Sequence, residues 1–442
     1  MTQAEPGLWE KFTTFWKMGK DIADSMQESA KDEQGPIGNS DFLNVMYEYS
    51  MDYYRAKEIG RPIVMYNFCV PVEIFYAMDI YPMCQEAGSV AIAVANTNLR
   101  YIDIAEEKGI SRDQCNAQKT WMGAAMVNEA PEPDLIVYAS QPCDSTNIQY
   151  QVMQDIYKKP TYTLDVPYWT YEEDNKFYDP EVAPYFGKQY KKLAQWLEQQ
   201  TGHKMELERL KKTMALSNQA REWILESTEL MKTVPAPLPS LTAFTNYMVL
   251  LTSAGTERPL PYCKWTLDTA KERVKNKEGT INLRGGKRIK EEQIRIIWVY
   301  IPVFFDPFIF DWMERKFGAV VVMDMLGLQM ARPVDTTSEE SIYQDLGKVT
   351  LEMPMARQSR GPMEFYLDDI IWMIKEFKGD CCIWGGHVGC KHSWAVASLM
   401  AEEIKKATGI PTLTFEVDTM DGRIVDSKTI KTRLKTFLST LI

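Results

Sequence analysis

Histidine is scarce in this sequence, with three in 442 residues, and none of the eight cysteines belongs to a C-x2-C pair. Structural zinc sites usually draw ligands from such close pairs, so a zinc finger or ribbon has no support. No G-x-x-x-x-G-K-[ST] run occurs, which argues against ATP hydrolysis in the P-loop manner, and no G-x-G-x-x-G opens a strand–helix unit for a dinucleotide. A basic surplus is missing too: 50 lysines and arginines face 61 acids, a net charge of -11. Phosphate-backbone binding needs a basic face that releases counterions, so no nucleic-acid partner is expected. Long apolar runs are also absent. The longest, VYIPVFFDPFIFDWM, is broken by two prolines and two aspartates and is too short to span a bilayer, so no membrane partner is expected. The first 35 residues mix acids and lysines without the basic-then-apolar order of a signal peptide, which points to the cytoplasm.

What is present is the composition of a folded protein, 45% hydrophobic and 12% aromatic, in a chain long enough for two or three domains. In a reducing compartment the cysteines are not a disulfide framework; each is a buried hydrophobe, a ligand or a nucleophile. Residues 1–60 read as an N-terminal helical segment, with Gly60 as a C-cap. A first α/β domain is expected over 61–175, where PIVMYNF, DLIVYAS and PTYTLDV are short apolar runs separated by helical text, as parallel strands in βαβ units are. A helical insert follows over 176–290 and closes on a charged, glycine-containing connection. The βα rhythm resumes over 291–442 with IRIIWVYIPVF, GAVVVMDML, DCCIWGG and PTLTFEVD. The fold class is therefore α/β: two doubly wound, Rossmann- or flavodoxin-like parallel sheets separated by helices, with their mutual cleft as the default site.

Three cysteines stand out. Cys143 in DLIVYASQPCDS and Cys390 in CCIWGGHVGCKH each follow an expected strand and precede a helical run, at the carboxyl ends where open α/β sheets bind ligands. Cys115, shortly after Ser111 as a plausible N-cap, is expected in a helix's first turn, where the macrodipole favours a thiolate. The bland alternatives are an inert helical cysteine and a glycine turn made only for tightness. Cys381 and Cys382 are expected to point to opposite faces of one strand, at least one as filler. Cys69, Cys84 and Cys263 are left unassigned. Zinc on the three cysteines plus His387 or His392 is one reading. Ligands scattered over 275 residues suit a larger group between domains better, and three thiolates would leave one iron of a cubane open. His387 and His392 are candidate acids or bases, outer donors to a ligand, or satisfied loop residues. LRGGKR, 283–288, is a basic glycine turn that either holds an anionic group or simply faces solvent.

Read together, CVPVEIFYAMDIYP, DQCNAQKTWMG, PEPDLIVYASQPCDS with KPTYTLDVPY, and GGHVGCKHSWAVASLMAEEIKKATGIPTLTFEVDTMDGR with its closing KTRLKTFL resemble, in order and spacing, the 2-hydroxyacyl-CoA dehydratase and benzoyl-CoA reductase subunits. Asp79 stands where the motif V-P-x-E-I-x-x-A-x-G-x-x-P has glycine. The resemblance implies one subunit of a heterodimer, paired with a second homologous iron–sulfur subunit. It also implies a [4Fe-4S] cluster on Cys115, Cys143 and Cys390, an acyl-CoA substrate, radical chemistry, and electrons from a separate ATP-hydrolysing iron–sulfur activator. Glu73 matches the motif's glutamate and is a candidate catalytic residue; its alternative role is a charge at a helix N-terminus. Lys119, four residues after Cys115, is where reductive members tend to carry lysine and dehydratases arginine, and either cation would favour the cysteine's thiolate. This tilts the expectation toward a benzoyl-CoA reductase B-like subunit, with a 2-hydroxyacyl-CoA dehydratase subunit next and a non-catalytic electron relay third.

Overall fold

Two short parallel strands, β1 (Ile63–Tyr66) and β2 (Tyr81–Cys84), begin the first sheet, which β3 (Leu135–Ala139) and β4 (Thr161–Leu164) complete in the order β2-β1-β3-β4. The computed structural model describes residues 6–25, 38–168, 181–280, 291–328 and 333–442, so the LRGGKR turn lies outside the described residues. A second sheet of β5 (Ile294–Trp298), β6 (Ala319–Asp324), β7 (Cys381–His387) and β8 (Thr412–Val417) repeats the arrangement as β6-β5-β7-β8. Both sheets are wholly parallel. In each, the first strand in sequence lies between the second and the third, so connections leave its two sides in opposite directions and open a crevice at the carboxyl ends.

The sequence explains these elements locally. β1, β3, β5, β6 and β7 are buried along their whole length, as expected for parallel strands covered on both faces and built from Val, Ile and aromatic residues. β2 contains Pro82 and has no counterpart among the expected strands; at the edge of the sheet it tolerates a residue that cannot donate to a ladder on one side. The helix Ser40–Ile59 starts where Asn39 accepts hydrogen bonds from the Asp41 and Phe42 amides, a cap worth about 1 kcal/mol. It stops at Gly60, whose φ of 70° is left-handed, as the C-cap expectation required.

The helices Val182–Thr201, Leu207–Leu230, Thr242–Ser253 and Leu260–Asn276 fall between the two sheets in sequence. They join the first sheet and one face of the second in a single apolar core that includes Val249, Ile297, Val322, Cys382 and Trp384. A smaller core on the opposite face holds Ile296, Trp298, Val321, Cys381 and Ile383. Alternation along β7 thus sends Cys381 and Cys382 to different cores, both fully buried, and each neighbouring side chain of Val size or larger contributes on the order of 1.5–3 kcal/mol by its burial.

Candidate cofactor and active site

Cys143 lies four residues beyond the end of β3, and Cys390 three beyond the end of β7. Because β3 and β7 hold the same place in their sheets, both cysteines stand at the same strand ends, beside the crevice. Each is also the N-cap of the following helix, Asp144–Tyr157 and Lys391–Trp394 respectively. Cys115 is likewise the N-cap of the helix Asn116–Met126. The expectation of Ser111 as cap with Cys115 in the first turn is corrected by this: residues 111–115 are turn and loop, and the helix begins one residue after the cysteine.

All three cysteines line one solvent-open pocket. Close backbone approach brings them there. A Cβ at Gly389 would lie 3.0 Å from both the Cys115 Cα and the Gln114 carbonyl oxygen, so the last cysteine loop presses directly on the first. A Cβ at Gly386 would fall 1.7 Å from the Trp394 ring, which folds back over β7. The Cys115 amide donates to Ser145 Oγ at 3.3 Å, tying the first and second loops. On the surface, Lys391 Nζ bridges Asp144 at 2.8 Å and Asp113 at 3.2 Å, joining the neighbours of all three cysteines.

The electrostatics are not those expected from helix dipoles and cations alone. Burial raises all three thiols, Cys143 to about 12, with Cys115 above that and Cys390 also upward; the neighbouring cysteines add to the shift at Cys115 and Cys143. As isolated thiols they stay protonated near neutrality, and only a ligand that replaces the proton with positive charge makes them thiolates. All eight cysteines are free of disulfides. Among the described residues no three His, Cys, Asp or Glu side chains are arranged to hold a single metal ion. Three cysteines that line one pocket are the kind of thiolate donors an iron–sulfur cluster takes. In donor chemistry these residues fit the cluster that the resemblance implies.

Two of the three cysteines also meet a hydrogen-bonding neighbour. His387 Nε2 is 3.3 Å from Cys115 Sγ, and Thr146 Oγ1 is 3.3 Å from Cys143 Sγ. At Cys390 the nearby Tyr300 hydroxyl works against the upward push of burial. His387 itself is fully buried and does not line the pocket; burial lowers its pKa, opposed by Asp418. His392 does line the pocket, from an exposed position.

The other expected site residues lie outside the pocket lining. Lys119 is buried, and its ammonium binds Glu106 Oε1 at 2.7 Å and the Arg112 carbonyl at 3.1 Å, away from the pocket lining. Glu73 is the first residue of the helix Glu73–Ala77. It accepts from Arg221 at 2.7 Å and Ser217 at 2.6 Å beside a smaller adjoining cavity. Cys69, Cys84 and Cys263 are buried outside the pocket lining.

Glu86 is an acidic group that none of the motifs singles out. It lines the cysteine pocket, and burial lifts its pKa from 4.5 to about 7, the range useful for proton exchange at neutral pH. One oxygen accepts from the Cys84 thiol at 3.5 Å and the other lacks a protein hydrogen-bond partner, as do the buried Tyr247 hydroxyl and Ser359 hydroxyl in the same lining. Unmet polar atoms in an otherwise apolar wall mark where a ligand's polar atoms belong. The sequence holds no local signal for its burial, because Gln85, Glu86 and Ser89 share one polar face of the helix Gln85–Val94, which the structure nonetheless buries.

Residues 67–441 match the family described as 2-hydroxyglutaryl-CoA dehydratase, D-component. The B subunit of benzoyl-CoA reductase from Thauera aromatica is 23% identical over 434 residues, covering 92% of this chain and 96% of the relative. The (R)-phenyllactyl-CoA dehydratase alpha subunit of Clostridium sporogenes is 20% identical, covering 86% and 90%. The (R)-2-hydroxyisocaproyl-CoA dehydratase alpha subunit of Clostridioides difficile is 20% identical, covering 89% and 93%. With the family pattern running through both sheets and all three cysteine loops, the chain belongs to the 2-hydroxyglutaryl-CoA dehydratase D-component family.

Proposed function

We propose that this chain is the catalytic iron–sulfur subunit of a cytoplasmic acyl-CoA enzyme, holding a [4Fe-4S] cluster on Cys115, Cys143 and Cys390 and acting reductively on an aromatic, benzoyl-type CoA thioester. The observation that carries the reading is the convergence of three disulfide-free cysteines, from three separate loops, on one pocket whose remaining wall includes Phe68, Phe244, Tyr247 and Phe304. When bound, the cluster supplies single electrons of low potential to the thioester. The aromatic wall receives a flat apolar acyl group by area burial and ring contacts. Glu86, able to hold or release a proton near pH 7, exchanges protons with the substrate, with His392 at the exposed side as a second proton carrier. Glu73, engaged by Arg221 and Ser217, supports the neighbouring wall. The partners in this reading are a second homologous subunit and an ATP-hydrolysing iron–sulfur activator. The subunit designations of the relatives support the former.

Elimination of water from a 2-hydroxyacyl-CoA is the second reading, supported by relatives named as dehydratase alpha subunits. To separate the two, the chain purified with its partner subunit under anoxic conditions is given a low-potential electron donor and either benzoyl-CoA or phenyllactyl-CoA. A ring-reduced product from the first supports reduction; an unsaturated product from the second supports dehydration. Binding and conversion of neither thioester overturns both.

A further inference from the structure

We infer that His387 and Thr146 are positioning residues that set how readily the group on the cysteines accepts an electron, by donating hydrogen bonds to the Cys115 and Cys143 sulfurs. The inference rests on the cluster reading. Its basis is the direction of two hydrogen-bond chains. The Thr419 amide donates to His387 Nδ1 at 3.3 Å. That contact takes up the Nδ1 lone pair, so the hydrogen of the neutral ring belongs on Nε2, which faces Cys115 Sγ at 3.3 Å. Asp418 Oδ2 also approaches Nδ1, at 3.4 Å, and could accept from it as well as from Asn116 Nδ2 at 2.9 Å, but the Thr419 N–H aimed at Nδ1 occupies the place an Nδ1 hydrogen would need. Even an Nδ1–H shared with Asp418 in the charged ring would leave Nε2 a donor.

The second chain has the same logic. Gln85 Nε2 donates to Gln118 Oε1 at 2.8 Å, and Gln118 Nε2 donates to Thr146 Oγ1 at 3.3 Å. With its oxygen accepting from Gln118, the fully buried Thr146 hydroxyl turns its hydrogen to Cys143 Sγ at 3.3 Å. Two neutral donors thus face two sulfurs of one pocket, each fixed by a partner behind it.

A donor at a ligand sulfur stabilises added negative charge more than the oxidised state, so it raises the reduction potential. Removing one donor should make electron acceptance harder by about tenfold, which is about 59 mV for a one-electron couple. The test is an anaerobic redox titration followed by electron paramagnetic resonance on the purified complex without substrate, with iron and sulfide counted in every sample. Thr146→Val and His387→Leu should keep their iron and titrate at more negative potentials, while Thr146→Ser, which retains the hydroxyl, should titrate with the wild type. Iron-loaded Val and Leu variants with the wild-type midpoint overturn the inference while leaving the cluster reading intact. So does a Ser variant displaced as far as the Val variant. If His387→Leu fails to load, the Thr146 pair decides by itself. Iron-free wild-type protein overturns the cluster reading and this inference together.

Discussion

Glu86→Gln isolates the buried carboxyl of the pocket. Burial holds the folded-state pKa at about 7 against an ordinary 4.5, so the folded chain binds this proton more tightly than the unfolded chain. The contribution to stability is therefore fully present below pH 4.5, is lost as pH rises, and is gone once pH exceeds about 7. The gap between those two values, at about 1.36 kcal/mol per pH unit, corresponds to about 3 kcal/mol. Glutamine keeps the shape and removes the ionisation, so the variant should gain on the wild type by about that amount across the window. Glu314 and Asp324, also buried with pKa values raised to about 7, contribute to both proteins and cancel in the difference. Urea unfolding of both proteins at a series of pH values reads the difference. Difference infrared spectra should show a protonated carboxyl band, absent from the variant, that disappears around pH 7. Parallel stability curves, or a band already lost near pH 4.5, would refute the argument from burial.

Asp79, at φ 55°, occupies the left-handed conformation that accounts for glycine at this place in the motif, and pairs with Arg61 at 3.1 Å. Asp79→Gly should change stability by less than about 1 kcal/mol, whereas Asp79→Val should cost about 1–2 kcal/mol, both measured by thermal or urea unfolding. Gly386→Ala, whose Cβ would meet the Trp394 ring, should destabilise by about 1–3 kcal/mol and displace the Cys390 loop, read as reduced iron retention. Glu73→Met alone should cost about 3–5 kcal/mol by leaving Arg221 charged and buried without its carboxylate; Glu73→Met with Arg221→Met should recover much of that loss in urea unfolding.

Much of the architecture is legible in local text. Seven of the strands coincide with apolar runs bounded by turns, and the equivalence of Cys143 and Cys390 follows from their shared strand–loop–helix setting. β2 escapes such reading because Pro82 looks like a breaker until the strand is known to lie at an edge. Thiol ionisation departs from expectation for a different reason. Helix ends and nearby lysines can be read from spacing, but the burial that outweighs them is a tertiary property, and Lys119 is engaged by Glu106. The contact between His387 and Cys115 joins residues 272 positions apart, so nothing local could signal it. Glu86 escapes pattern reasoning too, since Gln85, Glu86 and Ser89 share a polar helix face that local text would turn to solvent and the tertiary packing buries.

The central claim, that three cysteines jointly hold one cluster, is tested most directly by iron and acid-labile sulfide per chain in protein purified without oxygen, for the wild type, Cys143→Ala and Cys390→Ala. The account predicts about four irons and four sulfides in the wild type, with both lost in each variant. Zinc or no metal in the wild type, or full iron in either variant, would contradict it.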